Sequence, residues 1–195
     1  MTCTCNVYDC LLERQHSQVC MDAAFEAAKH VYSQLGWGFS EACLRSALAF
    51  ELSFVFHTVE EERVLPVTYT ASNGKSKALP HAFVKADIVV LDQSLTHTEY
   101  ILLELKVQRG TGTAKLDSAQ SQVFGYAKML AAQLQKGVHV HAAVAIFTDN
   151  GLNFRTYVTL EATGENGWSI VSDLPSVHQH KRSALTTATK NTPVV

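Results

Sequence analysis

Residues 86–106 read ADIVVLDQSLTHTEYILLELK. Two apolar, β-rich runs flank a polar turn; Asp87 lies in the first, and Glu104-Leu105-Lys106 in the second. Residues two apart in a strand share a face. Glu104 and Lys106 therefore point one way, while Leu103, Leu105 and Val107 point the other way into a core. If the runs pair as a hairpin symmetric about Leu95, Asp87 falls roughly opposite Glu104. Two acids and a lysine then cluster on one face of a sheet, a set that can bind a divalent metal and activate a water. The same residues also suit a half-solvated hairpin with a surface salt bridge, so the decision rests on what surrounds them.

Upstream, residues 1–20 form a polar, cysteine-containing extension. Residues 21–35, MDAAFEAAKHVYSQL, read as a helix, since Ala24, Ala27, Val31 and Leu35 recur at helical spacing and Gly36 is a good terminator. Ser40 can cap a second helix running to about Phe54, with an inward stripe of Glu41, Leu44, Leu48, Leu52 and Val55. Glu41 is either an acid favoured at the positive end of a helix or a carboxylate aimed into a site. Residues 62–70 then read as a strand whose Pro66 implies an edge or a bulge, followed by a turn at Asn73-Gly74.

Downstream, QRGTGTA (108–114) lacks the spacing and Lys-Ser/Thr ending of a phosphate-binding loop. A helix is expected from about Lys115 to Lys136, placing Gln122 and Tyr126 four apart on one face beside an apolar stripe. Residues 138–148, VHVHAAVAIFT, suit a central strand covered on both faces. Residues 154–161 and 168–172 read as a last hairpin, and the chain after Pro175 as a polar, disordered tail, 176–195. The organisation is one α/β domain over 21–175, a mixed β-sheet flanked by helices.

Composition narrows the function classes. The 195 residues are 47% hydrophobic and 17% charged, enough for a single substantial core. A net charge of −2 argues against a broad phosphate-tracking surface but leaves room for a local site in which a metal supplies the positive charge. No apolar run is long enough to span a membrane. No secretory segment precedes the five cysteines, all within the first 43 residues, so an intracellular protein with free thiols is expected, cytoplasmic or nuclear, with a mitochondrial address left open. Cys3, Cys5, Cys10 and Cys20 match no compact metal spacing, so no iron–sulfur cluster is expected. His30, His57, His81, His97, His139 and His141 form no zinc-ligand grouping; His139 and His141 share a strand face without a Cys or His nearby to complete a site.

Five motifs in order resemble the GxxExxY proteins, small members of the PD-(D/E)XK nuclease superfamily. Gly38-Phe39-Ser40-Glu41 matches the G-x-x-E text, and Ala47 to Leu52 the apolar text after it. Lys85-Ala86-Asp87 matches the basic-x-Asp motif, and Glu104-Leu105-Lys106 the E-L-K. Gln122-Val123-Phe124-Gly125-Tyr126 matches the Q-x-x-x-Y that RecB-type nucleases share. The resemblance covers about Phe25 to Gly151. Leu44 stands at the family's tyrosine position, and Lys85 where arginine is common.

The resemblance implies a restriction-endonuclease-like core of αβββαβ order, here with an extra C-terminal hairpin, and hydrolysis of phosphodiester bonds in DNA or RNA. Mg²⁺ or Mn²⁺ would sit on Asp87, Glu104 and the backbone carbonyl of Leu105, with Glu41 joining directly or through a water. Lys106 would orient the attacking water or stabilise phosphoryl charge. Gln122 and Tyr126 would position that water, Lys106 or a substrate phosphate. A two-fold dimer is the default for a small nuclease. The competing expectation is a catalytically silent nuclease fold serving as a structural or nucleic-acid-binding subunit of a larger assembly such as a ribonucleoprotein.

Overall fold

A computed structural model describes residues 7–73, 76–93, 98–110, 114–164, 167–172 and 176–181. Gly74, Cys3, Cys5 and the centres of the 92–99 and 108–114 connections lie outside the described residues, as do 182–195.

Two N-terminal helices come first, α1 (Val7–Leu35) and α2 (Glu41–Leu52). Gly36 closes α1 at φ 73°, its N–H reaching the Tyr32 carbonyl at 2.8 Å, a conformation that glycine adopts without a Cβ clash. Ser40 opens α2, its Oγ accepting the Cys43 N–H. Then follow β1 (Thr58–Thr70), β2 (Ser76–Gln93), β3 (Thr98–Gln108), α3 (Ala114–Ala131), β4 (His139–Thr148), β5 (Gly151–Gly164), β6 (Gly167–Ser172) and β7 (Ser176–Lys181).

The strands form one mixed sheet ordered β1-β2-β3-β4-β5-β6, with β7 also on β5. β3 and β4 are parallel, joined across α3, and the other pairs are antiparallel. This is the α/β architecture of a restriction-endonuclease-like core. The central hairpin runs from Ile88↔Leu103 to Gln93↔Thr98, one residue off strict symmetry about Leu95. Pro66 lies on the edge strand β1, where the register shifts between Pro66 and Thr68. It is both the edge and the bulge that its missing N–H demands.

Each face of the sheet has its own core. Ala24, Val31, Leu44, Leu48 and Leu52 of α1 and α2 pack on Ile88, Ile101, Leu103 and Leu105. Val123, Ala127 and Leu130 of α3 pack on Leu102, Val140, Val144 and Ile146. β4 is buried along nearly its whole length, as expected of a strand covered twice.

Four expectations need correction. The helix expected at residue 21 begins at Val7, so much of the supposed lead-in is helical. α2 ends at Leu52, so helical spacing no longer governs Val55, which is 58% exposed while Phe56 is buried. α3 stops at Ala131, five residues short of Lys136, as the chain tightens into turns. Residues 176–181 are strand β7, paired with β5 from Gly151↔Lys181 to Thr156↔Ser176. The His178 ring lies 4.9 Å from that of Phe25 on α1.

Candidate active site

The site forms where β2 leaves its neighbours. The β1–β2 ladder passes from Glu61↔Ile88 to Arg63↔Ala86 without pairing Glu62 to Asp87, and the β2–β3 ladder stops at Ile88↔Leu103. Glu62 has φ 50°, a left-handed conformation uncommon outside glycine. Side-chain alternation also breaks here, since Ile88 faces α1 and α2 whereas Ala86 belongs to the α3 core.

The divergence leaves backbone N–H groups of β3 without a strand partner, and carboxylates take them. Asp87 Oδ2 accepts the Leu105 N–H at 2.8 Å, and Glu41 Oε1 accepts the Val107 N–H at 3.1 Å. Glu41 reaches β3 because the Ser40 cap starts α2 one residue before it. Both acids are thus oriented by main-chain donors two residues apart on one strand edge.

Glu104 points to the other face. Leu103 and Leu105 enter the α1/α2 core, so alternation turns Glu104 and Lys106 toward α3. Glu104 is 1% exposed. Its Oε1 accepts from Lys106 Nζ at 2.5 Å, while its buried Oε2 takes no hydrogen bond from any described residue. Burial, with Asp87 and Glu41 nearby, pushes the Glu104 carboxyl up to about 7 against the pull of Lys106. The same carboxylates raise the Lys106 ammonium above its ordinary value although burial opposes them, keeping it charged.

Gln122 and Tyr126 meet each other, Gln122 Nε2 donating to Tyr126 Oη at 2.9 Å. They stand on α3, the helix covering the face to which Glu104 and Lys106 turn. Their hydrogen bond joins two side chains of one helix and does not tie them to the acids.

Arg45 is a residue the sequence reading missed. It lies one helical turn after Glu41, the one signal that could have placed it beside the acids. Its guanidinium reaches Asp87 Oδ1 at 3.3 Å, Glu62 Oε1 at 3.0 Å and Glu61 Oε2 at 3.9 Å. Asp87 therefore has an N–H on one oxygen and a cation on the other. Lys85, the basic residue before it, pairs instead with Glu62 at 3.2 Å.

The expected acids are gathered but turned to separate donors, and their oxygens do not converge on one point. Among the described residues, the one group of three ligand-type side chains whose ligand atoms all lie within 4.8 Å of one another is His16, Cys20 and Asp92. His16 Nε2 is 3.1 Å from Asp92 Oδ2, Cys20 Sγ is 3.2 Å from the same oxygen, and Sγ and Nε2 are 3.7 Å apart. His16 and Cys20 are four apart on α1, a spacing that shares a helix face and was readable in the sequence. Beside them, buried Glu99 accepts from Ser17 Oγ at 2.6 Å and contacts His141 at 3.3 Å and His139 at 3.9 Å.

No described helix is long and apolar enough to cross a membrane. Compared with known protein families, residues 18–141 match the PD-(D/E)XK nuclease superfamily. Neither a curated protein nor a solved structure matches the chain.

Proposed function

The chain belongs to the PD-(D/E)XK nuclease superfamily, and from that premise we propose that it hydrolyses phosphodiester bonds of DNA or RNA in a divalent-cation-dependent reaction at Asp87, Glu104 and Lys106. The observation carrying this reading is Glu104. It is a fully buried carboxyl with one oxygen on Lys106 and the other without a donor among the described residues. A buried acceptor in that state costs stability unless something satisfies it. A small hard cation would.

The donor chemistry fits Mg²⁺ or Mn²⁺, which take oxygen ligands from one or two carboxylates and leave room for substrate phosphate. Asp87 and Glu104 would hold the ion with the Leu105 carbonyl, and Glu41 would contribute through a water. When bound, the ion would polarise the phosphoryl oxygens and acidify a water at neutral pH. Leu105 and Val107 anchor Asp87 and Glu41 through their N–H groups, and an ion would draw the oxygens of the acids together from these separate donors. Lys106, kept cationic by its carboxylate neighbours, would donate hydrogen bonds to phosphoryl oxygens as charge builds, and would not serve as a base. Gln122 and Tyr126, on the helix that covers this face of the sheet, would orient Lys106 or a substrate phosphate. With near-neutral net charge, nucleic-acid contact would be confined to this site. The motif order favours the GxxExxY branch of the superfamily, and a two-fold dimer would suit cutting of two strands.

One observation favours the second reading, a silent fold serving a larger assembly: each acid already has a protein partner, Arg45 on Asp87 and Lys106 on Glu104. The deciding experiment is cleavage of single- and double-stranded DNA and RNA with Mg²⁺ or Mn²⁺, beside Asp87→Ala and Lys106→Ala. Expected is cleavage abolished by a chelator and reduced by about 10²–10³-fold in each variant. Absence of cleavage, or equal cleavage by all three proteins, sinks the enzyme. Recovery from cells of a large complex that survives both substitutions then favours the structural role.

A further inference from the structure

The His16, Cys20 and Asp92 cluster lies at the far end of the β2–β3 hairpin from the nuclease acids and faces α1. Its chemistry differs from theirs. A thiol, an imidazole and a carboxylate form a mixed soft and borderline donor set, which suits zinc and not magnesium. The three donor atoms form a triangle with edges of 3.1, 3.2 and 3.7 Å. Around tetrahedral zinc, ligand bonds of about 2.0–2.3 Å put neighbouring donors roughly 3.4–3.6 Å apart. The observed triangle is therefore close to one face of such a tetrahedron, and shifts of a few tenths of an ångström would close it.

We propose that His16, Cys20 and Asp92 form a zinc site separate from the nuclease acids, pinning α1 to the turn end of the β2–β3 hairpin. Nε2, Sγ and a carboxylate oxygen supply three ligands. His16 and Asp92 keep 28% and 23% of their side-chain surface, leaving a fourth position toward solvent for water. Charge balance supports the assignment. Cys20 as thiolate and Asp92 as carboxylate bring two negative charges to a dication, with neutral imidazole as the third ligand. Without a cation the thiol has no reason to ionise, because it is buried beside Asp92 and Glu99, and its pKa is pushed well up. Binding therefore breaks the Cys20 S–H bond, forms a zinc–sulfur bond and releases the proton to solvent. Glu99 stays outside the coordination set, engaged by Ser17, His139 and His141. The site rests on α1 and β2 alone and does not depend on the nuclease reading.

The test uses the full-length, reduced chain, freed of metal and titrated with Zn²⁺ in excess Mg²⁺, with Co²⁺ as a spectroscopic substitute. Expected is one Zn²⁺ per chain, a buffer-dependent heat reporting proton release, and a thiolate-to-cobalt charge-transfer band. Cys20→Ser and His16→Ala should each weaken Zn²⁺ binding by more than about a hundred-fold, and Cys20→Ser should remove the cobalt band. Asp87→Ala with Glu104→Ala should leave both intact. If Cys20→Ser fails to fold, as judged by circular dichroism, the partly exposed His16 and the wild-type cobalt spectrum still decide. Absence of stoichiometric binding overturns the proposal. So does binding that survives His16→Ala, or binding that disappears only when Cys3, Cys5 and Cys10 are replaced.

Discussion

Glu99 and Glu104 are five residues apart on one strand, both 1% exposed, and are pushed in opposite directions. Burial raises both carboxyls, so burial cannot explain the difference. Glu99 accepts from Ser17 and contacts two histidines, which together hold it well below the usual carboxylate range despite that burial. Glu104 has one lysine, two neighbouring acids and an oxygen with no described donor, and is pushed up to about 7. One strand thus presents a carboxylate completed by the protein on its α1 face and an incompletely satisfied one on its α3 face. Identical depth and identical chemistry become structure in one case and a candidate reactive centre in the other, through partners alone.

The comparison breaks most sharply if Glu99 proves dispensable. Glu99→Ala removes the carboxylate shared by Ser17, His139 and His141 and should cost about 3–5 kcal/mol, read from urea denaturation at neutral pH. Glu104→Gln should be neutral or stabilising there, since it removes a strained charge. Equal losses at both positions would mean that depth, not partnership, sets their roles.

Their pH dependences should also have opposite signs. Between its ordinary value near 4.5 and about 7, the folded state holds a proton on Glu104 that the unfolded chain has lost. Stability from this group therefore falls as pH rises through that window, by roughly 3 kcal/mol. Glu99 does the reverse: its lowered value adds stability above the ordinary carboxylate range, lost as pH falls below it. Denaturation midpoints against pH should lose the neutral slope in Glu104→Gln and the acid slope in Glu99→Gln. A neutral slope that persists without Glu104 would assign it to another group.

A cation at the proposed nuclease site should complete what Glu104 lacks. Mg²⁺ at ten times its dissociation constant should stabilise the fold by roughly 1.4 kcal/mol at pH 8. The gain should shrink near pH 5.5, where Glu104 holds its proton, and vanish in Glu104→Gln. Thermal shifts with and without Mg²⁺ measure this, and a pH-independent shift would locate the ion elsewhere.

What was legible in the sequence was short-range. The apolar parity of Leu103, Leu105 and Val107 and the symmetry about Leu95 gave the hairpin, its register to within one residue and the facing of Glu104 from within one stretch. Gly36 and Ser40 marked helix ends because their effects are local. The first third of α1 was missed although Val7 and Leu11, and Tyr8 and Leu12, stand four apart, a helical spacing obscured by the cysteines and polar residues around them. β7 escaped because it joins the edge of β5 through backbone hydrogen bonds, which need no apolar pattern. The His16–Cys20 pair was readable as a helix face, but its third member, Asp92, arrives from a strand 72 residues after Cys20. Nor could sequence show that β2 would part from β3 at Asp87, which turns two acids onto the strand's exposed N–H groups.

Arg45 gives the smallest effect and the finest test. Its guanidinium holds Asp87 Oδ1, the oxygen left over after Oδ2 takes the Leu105 N–H, and it is shared with Glu61 and Glu62. A cation arriving at Asp87 must compete with it, so the arginine both neutralises the acids of the empty fold and weakens their hold on an ion. Its side chain is 17% exposed, and solvent and the competing acids screen the pair to about 1 kcal/mol. Arg45→Met should therefore lower stability slightly without added cation and tighten Mg²⁺ binding by about five-fold, as followed by calorimetry. The same substitution should leave Zn²⁺ binding unchanged, because the described ion pairs of Arg45 go to Glu61, Glu62 and Asp87 and not to His16, Cys20 or Asp92. Unchanged Mg²⁺ affinity would mean that Arg45 swings aside at no cost. The Leu105 N–H would then be the one partner that fixes Asp87, and the two carboxylates of β3 would differ by less than their partners suggest.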